Sequence, residues 1–284
     1  MCLLVVGWNA HPDFRLVIAG NRDEFHERPA APIGWWKDGS PPVLAGRDLK
    51  ASGTWLGLAR DGRFGIVTNF RDFDPPSAGA PTRGELVPSY LRGEESAAQY
   101  LAGLERRARE YGGFNLLLGD RDSLHYFSNR GDAPPRSLPA GIYGLSNQWL
   151  DTPWPKLTRT RERFATLMSG GGLAAEELFA LLADRTTTGD ADLPHTGLPE
   201  DWERAVSAPF VVNERYGTRC STVVFVDRVG RTVVHERRFD PGGVQSGASR
   251  FAFAIGPTAS AATAVARERA GPTARAAARD ASPE

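Results

Sequence analysis

Cysteine is scarce in this sequence, with 2 among 284 residues. So few cysteines, without an export signal, exclude a disulfide framework and indicate free thiols. An excess of charge of one sign is also missing, because 34 basic residues balance 34 acidic ones. A balanced chain has no overall field to attract nucleic acid or anionic lipid. We therefore expect no nucleic-acid partner.

Long hydrophobic runs are absent as well. The apolar run near the N-terminus extends only from Cys2 to Gly7, has no basic segment before it and is soon followed by charged residues. That length and setting exclude a signal peptide and a membrane-spanning helix. We expect a cytoplasmic protein without an integral membrane segment.

Motifs for phosphate, dinucleotide and metal binding are missing too. The sequence has no Walker loop, no GxGxxG and no CxxC, and its five histidines never occur at a metal-ligand spacing such as HxxxH. We therefore predict no metal site and no resident cofactor.

The pattern of apolar residues predicts an α+β fold. Short apolar runs alternate with turn residues over the first 70 residues, which is typical of antiparallel strands. Helices are then predicted over 84–91, 96–109, 155–168 and 173–183, and strands over 114–119, 124–127, 141–145, 222–226 and 232–236. Two sheets facing one another, with helices on their outer faces, would bury every element. We expect one domain over 1–257 and a disordered Ala/Arg/Pro-rich tail over 258–284.

Polar residues cluster where the predicted strands end. Asn21-Arg22-Asp23-Glu24 follows an apolar strand, although a solvated turn with weak ion pairs has the same pattern. Asn69, Asn147 and Arg219 lie at three further strand ends, where each also fits a turn or a cap. Together, amide and guanidinium groups at several strand ends suit stabilisation of an oxyanion or orientation of a carbonyl.

Cysteine at position 2 has an unusual chemical option. If Met1 is removed, as a small second residue permits, Cys2 gains a free α-amine beside its own thiol. An α-amine titrates near ~7.7 to 8.0 and a thiol near ~8.5, so the amine can accept the thiol proton without a histidine. The alternative is that Cys2 is a small apolar residue in a buried first strand.

The seven tryptophans allow two interpretations. Core packing is the ordinary role of such residues, and an aromatic wall for an apolar ligand is the functional one. Trp55 and Trp149 are our candidates for the second role.

Taken together, the motifs resemble the NRDE proteins, the transport and Golgi organisation type 2 family. The resemblance covers about residues 1–240 and depends on the order and separation of Met1-Cys2, Asn21-Arg22-Asp23-Glu24, Gly46-Arg47-Asp48-Leu49, Gly53-Thr54-Trp55-Leu56-Gly57, Thr68-Asn69, Leu145-Ser146-Asn147, Pro153-Trp154-Pro155-Lys156 and Tyr216-Gly217-Thr218-Arg219. Cys220 departs from the family pattern, in which a serine follows the arginine.

That family is similar to N-terminal nucleophile hydrolases of the choloylglycine hydrolase type. The resemblance implies a four-layer αββα sandwich of two mainly antiparallel sheets, with Cys2 at the start of a central strand. It also implies catalytic roles for Cys2, Arg22, Asp23, Asn69, Asn147 and Arg219. In these roles Arg22 and Asp23 orient the nucleophile, the two asparagines contact the oxyanion and substrate, and Arg219 completes the site. Which of Asn21, Arg22 and Asp23 orients Cys2 stays open, and Asn21 joins the two tryptophans as a ligand-binding candidate.

Two functions fit these residues. The first is an N-terminal-cysteine hydrolase that cleaves a non-peptide C–N bond of a small amide, with Cys2 as the nucleophile. The second is non-catalytic binding or trafficking of haem or an acyl lipid in the same cleft, with His26 as the histidine nearest to the polar cluster.

Overall fold

Two antiparallel sheets form the centre of the molecule. A computed structural model describes residues 2–72 and 79–256, and the predicted tail over 258–284 lies outside the described residues. Within the described part, one sheet has six strands and the other has seven.

The N-terminal strand is an interior strand of the six-stranded sheet. Along the chain, this sheet consists of β1 (Cys2–Trp8), β2 (Phe14–Phe25), β10 (Gly141–Leu145), β11 (Tyr216–Asp227), β12 (Arg231–Phe239) and β13 (Gln245–Ala254). Their spatial order is β10-β1-β2-β11-β12-β13, so β1 is paired on both sides. Cys2 lies opposite Arg22, and Leu4 lies opposite Leu145.

The seven-stranded sheet is a meander in which each strand pairs with its neighbours along the chain. It consists of β3 (Ala30–Trp35), β4 (Val43–Asp48), β5 (Leu56–Ala59), β6 (Phe64–Asn69), β7 (Phe114–Gly119), β8 (Leu124–Ser128) and β9 (Arg136–Ser137). Antiparallel neighbours of this kind need no crossover. The connection between β6 and β7 is long, over 70–113, and contains two α-helices.

Helices cover the outer face of each sheet. They are α1 (Leu86–Arg92), α2 (Ala97–Glu105), α3 (Pro155–Ser169), α4 (Ala175–Leu182) and the short α5 (Glu200–Ala205). The apolar faces of α1 and α2 pack on the seven-stranded sheet, and those of α3 and α4 pack on the six-stranded sheet. None of the helices in the described ranges has the length and apolar character that a membrane crossing requires.

Successive side chains of β1 point alternately into two apolar layers, one on each face of the sheet. Leu4 and Val6 belong to the core between the sheets, whereas Val5 packs with the helices on the other face. This alternation follows from the two-residue period of a strand. The predicted α+β class and the four-layer αββα sandwich are confirmed.

The polar run Asn21–Glu24 differs from the pattern that its composition suggests. It lies inside β2, which continues to Phe25, and not in a turn after the strand. The reason is tertiary, because β1 pairs with one edge of this segment and β11 with the other. A two-residue period then places Arg22 on the face toward the second sheet and Asp23 on the face toward the helices.

Candidate active site

The main chain of Cys2 is fixed by two residues that follow β10. The backbone N–H of Cys2 donates to Asn147 Oδ1 at 3.1 Å. The hydroxyl of Ser146 donates to the Cys2 carbonyl oxygen at 2.9 Å. Because both polar groups of the Cys2 backbone have partners, the start of β1 has a defined position.

Asn147 also connects the two sheets. Its side-chain Nδ2 donates to the carbonyl oxygen of Asn69, at the end of β6, at 2.9 Å. Thr68 Oγ1 donates to the carbonyl oxygen of Ser146 at 3.0 Å, which joins the same two segments a second time. Asn147 is completely buried. The structure thus brings Cys2, Asn69 and Asn147 together from three separate parts of the sequence.

The Arg22 guanidinium lies over the face of Trp55, 4.5 Å from the ring centroid. Its Nη2 lies 3.4 Å from Asp48 Oδ2 and 3.5 Å from Glu24 Oε2. Arg22 is 5% exposed, and its Nη1 has no hydrogen-bond partner among the described residues. A buried donor without a partner is uncommon and is available to an acceptor on a ligand.

Burial raises the pKa of the Cys2 thiol above its ordinary value, and the Asp23 carboxylate adds to this effect. The Arg22 guanidinium and a hydrogen bond from the Asp23 backbone N–H act in the opposite direction. Cys2 as a whole residue is partly exposed. Because burial raises its pKa, the thiol needs a base before it can act as a thiolate.

Cys220 lies on the other side of Arg22 in the same sheet. Arg22 pairs with Cys2 through β1 and with Cys220 through β11. Two inter-strand spacings separate the cysteines by about 10 Å, which is too far for a disulfide. Both are free thiols, and burial raises the pKa of the Cys220 thiol far above its ordinary value.

Asp23 and Lys156 are both buried, and each influences the charge of the other. Asp23 Oδ1 accepts a hydrogen bond from Thr218 Oγ1 at 2.7 Å, and Lys156 Nζ donates to the Val206 carbonyl oxygen at 2.8 Å. Burial raises the pKa of Asp23 and lowers the pKa of Lys156 to about 8, and the opposite charge of each partner reduces the shift of the other.

A polar cleft of about 250 Å³ opens beside these residues. Its walls include the predicted site residues Cys2, Arg22, Asp23, Trp55 and Asn69. The walls also carry charged residues that sequence reasoning did not place there, namely Glu24, Arg28, Asp48 and Arg83. For Glu24 and Asp48 a signal was present, since they belong to the Asn21-Arg22-Asp23-Glu24 and Gly46-Arg47-Asp48-Leu49 motifs.

Three predicted residues have other contacts. The Asn21 side chain donates to the carbonyl oxygens of Leu182 and Pro209 at 2.9 Å each, which ties β2 to the helix layer. Arg219 Nη1 donates to the carbonyl oxygen of Phe25 at 2.9 Å and so holds the turn after β2. Trp149 is 48% exposed and packs against Phe70, with 5.1 Å between the ring centroids.

None of these three is among the cleft-lining residues. In the described ranges, no three His, Cys, Asp or Glu side chains are grouped so that they could hold a metal ion.

Fold and site together define a four-layer αββα protein whose second residue is a cysteine on the wall of a polar cleft. The family model "Transport and Golgi organisation 2" matches residues 1–241, and the chain belongs to this family. The chain is 32% identical over 259 residues to the Transport and Golgi organization 2 homolog of Mus musculus, with 84% of this chain and 92% of the mouse protein covered. Its identity to the homolog of Bos taurus is 34% over 258 residues, with the same coverage.

Solved structures give more distant similarities. A Caenorhabditis elegans ortholog of N-acylethanolamine-hydrolyzing acid amidase superposes with a TM-score of 0.44 at 8% identity, covering 78% of this chain and 92% of that chain. The C2A mutant of the conjugated bile acid hydrolase from Clostridium perfringens superposes with a TM-score of 0.43 at 9% identity, covering 90% and 92%.

Proposed function

We propose that this protein is a hydrolase that cleaves the C–N bond of a small amide, with Cys2 as the nucleophile after removal of Met1. The observation that carries the proposal is the hydrogen bond from the Cys2 nitrogen to Asn147 Oδ1, beside a polar cleft that Cys2 lines. This contact holds the atom that becomes an α-amine on processing. A nucleophile and its base would then belong to one positioned residue.

In the first step the α-amine removes the proton from the Cys2 thiol. The ordinary pKa values of the two groups are close, near ~8 for the amine and ~8.5 for the thiol, and burial of the thiol makes the transfer less favourable. The thiolate attacks the amide carbonyl carbon, a C–S bond forms, and the carbonyl electron pair moves to the oxygen. Arg22 favours this step because its positive charge lowers the pKa of the thiol.

The resulting oxyanion needs hydrogen-bond donors to stabilise its charge. Two groups of the cleft suit this role: the side chain of Asn69, which is exposed on the cleft wall, and the unpartnered Nη1 of Arg22. Asn147 Nδ2 already donates to the Asn69 carbonyl oxygen. We therefore assign Asn147 a positioning role, in place of the oxyanion contact that the family resemblance implies.

The second step releases the products. The C–N bond breaks as the oxyanion electrons return, and the protonated α-amine gives its proton to the departing nitrogen. Water then attacks the Cys2 thioester, with the α-amine again acting as the base. The acid leaves and the thiol is restored, so that no oxidant, reductant or second substrate is needed.

Intact-mass measurement tests the requirement for a free N-terminus. The mature wild-type protein should have lost the mass of Met1, and an electrophilic acyl probe should add one acyl group to Cys2. Cys2→Ser should abolish the labelling, whereas Cys220→Ser should label like wild type, because the Cys220 thiol is buried. Full labelling of a chain that retains Met1 would refute the mechanism.

The cleft suits the alternative function, haem binding, less well. Of the described residues on the cleft wall, Cys2 is the only one of a type that commonly ligates haem iron. His26 does not line the cleft, and its Nε2 is hydrogen-bonded to the Asn213 carbonyl oxygen at 2.9 Å. The cleft of about 250 Å³ is also smaller than ordinary cofactor sites, which begin near ~300 Å³.

Titration with haemin separates the two functions. The hydrolase predicts no change in the haemin absorbance spectrum on adding wild-type protein. A spectral shift that Cys2→Ala abolishes and His26→Ala preserves would favour the binding function.

A further inference from the structure

A second cavity lies behind Cys2, between the two sheets. Its volume is about 20 Å³, and its apolar walls include Leu4, Leu56, Ile66 and Val67. A volume of this size accommodates about one water-sized group. Apolar walls make it a site for hydrocarbon and a poor one for water.

The two cavities share four residues of their walls, namely Cys2, Arg22, Trp55 and Val67. Cys2 therefore stands at the boundary between an apolar cavity and a polar cleft. A carbonyl carbon attacked by its sulfur carries two substituents, the acyl group and the nitrogen. One substituent faces each space, and the charged walls of the cleft suit the nitrogen side.

We propose that the substrate is the amide of a short apolar acyl group, acetyl or propionyl, with the acyl end in the cavity behind Cys2 and a polar amine portion in the cleft. This inference depends on the proposed function, since it assigns the two sides of the bond that Cys2 would break. The products are a short carboxylic acid and a polar amine.

The walls of the inner cavity resist expansion. Leu4 and Ile66 belong to the core between the sheets and are 3% and 4% exposed. The Trp55 ring lies against Gly46, where an added Cβ would come within 2.3 Å of the ring, and Arg22 stacks on Trp55 at 4.5 Å. A longer acyl chain would have to displace these close-packed side chains. Discrimination of about tenfold or more per additional methylene is the ordinary consequence of such a boundary.

Acyl esters with one leaving group test chain length directly. The mature protein is mixed with p-nitrophenyl acetate, butyrate or octanoate, and acylation of Cys2 is followed by intact mass and nitrophenol release. We expect acetate to acylate Cys2 at least about 100-fold faster than octanoate. Octanoate reacting as fast as acetate would overturn the short-acyl assignment while leaving the nucleophile intact. No acylation of Cys2 by any of the esters would overturn the proposed function and this assignment together.

Two isoleucine variants test the cavity itself. Ile66→Val removes one methyl group from its wall and should raise the butyrate-to-acetate rate ratio by about tenfold. Ile33→Val makes the same deletion in the same core, away from the cavity lining, and should leave the ratio unchanged. Thermal melting of each variant verifies folding, and equal ratios in folded Ile66→Val and wild type would count against the inner cavity as the acyl site. The chain-length series on wild type does not depend on either variant.

Discussion

At the scale of single residues, Asn147 shows how one amide can define a site. Its oxygen holds the Cys2 nitrogen and its nitrogen holds the Asn69 carbonyl oxygen, so that it links the start of β1 to the end of β6. Because Asn147 is completely buried, bulk water does not reach either bond. A buried group left without a partner costs about 1 to 3 kcal/mol.

Replacing Asn147 by leucine should misplace Cys2. We expect Asn147→Leu to slow acylation of Cys2 about 100-fold, since a displacement of about 1 Å is enough for such a loss. Asn147→Asp keeps the acceptor oxygen for the Cys2 nitrogen and serves as the matched variant. Alkylation by iodoacetamide, which needs no positioned substrate, should change far less than acylation in both variants. An unchanged acylation rate in folded Asn147→Leu would argue against the positioning role.

Arg22 should set the reactivity of the thiol. Because its positive charge lowers the pKa of Cys2, Arg22→Met should raise that pKa and slow alkylation at pH 7 about tenfold. Arg22→Lys retains the charge without the planar stacking on Trp55 and should lose less. The alkylation rate is measured against pH in a Cys220→Ser background, so that only Cys2 reports. Identical pH profiles for Arg22→Met and wild type would contradict this role.

Lys156 should make stability depend on alkaline pH. Its pKa is about 8 in the folded protein and 10.5 in the reference state, so between these values the unfolded chain binds more protons. Stability contributed by this group therefore rises as pH increases from 8 to 10.5, by on the order of 2 to 3 kcal/mol. Lys156→Met should remove this rise, which urea unfolding at pH 8 and pH 10 measures for both proteins. A rise of equal size in the variant would show that other groups cause it.

At the scale of elements, apolar periodicity predicted the type of most strands and helices. The helix predicted over 96–109 begins as α2 at Ala97, behind the Ser96 cap, but ends at Glu105. Strands β3, β9 and β13 and helix α5 were not predicted. β3 contains a proline, β9 has only two residues, β13 has few large apolar residues, and α5 has only six residues of mixed polarity, so none of them gives a clear periodic signal.

The polar segment of β2 shows the limit of local reasoning most clearly. Four consecutive polar residues indicate a turn when only the segment is considered. Asn21 and Asp23 nevertheless lie in a strand, because Leu182, Pro209 and Thr218 supply their side-chain partners from distant parts of the chain. These partners lie more than 160 residues away in the sequence, so the segment alone does not reveal them. Without them, burial of the amide and the carboxyl group would be unfavourable.

The junction between the ends of β6 and β10 can be tested through Thr68. Its hydroxyl donates to the Ser146 carbonyl oxygen and accepts from Asn115 Nδ2 at 3.3 Å. Thr68→Val keeps the shape but removes both hydrogen bonds, although Asn115 Nδ2 keeps its bond to the Gln148 carbonyl oxygen at 3.0 Å. We therefore expect a loss of about 1 to 3 kcal/mol in the free energy of unfolding. Thr166→Val, on the exposed face of α3, should change stability by less than about 0.5 kcal/mol. Urea unfolding of both variants gives the comparison, and equal effects would argue against the junction.

At the scale of the whole molecule, the α+β class and the layer order were predictable, because alternating strands and amphipathic helices leave few ways to bury their apolar faces. Of the site residues that the motifs indicate, Cys2, Arg22, Asp23, Trp55 and Asn69 line one cleft. The motifs could not indicate that Arg219 and Asn21 bond to backbone carbonyls. Side-chain direction on a strand and competition for partners depend on packing that motifs do not encode.

The pairing of β1 with β10 at one edge of its sheet has a consequence for biosynthesis. Cys2 leaves the ribosome first, yet its partner Asn147 follows 145 residues later in the chain. At about 5 to 20 residues per second, this interval lasts roughly 7 to 30 s. During this interval β10 has not yet been synthesised, so β1 has no neighbour on that side. The N-terminus is then open to an aminopeptidase. Removal of Met1, which the proposed hydrolase requires, would therefore fall in this interval, before β10 pairs with β1.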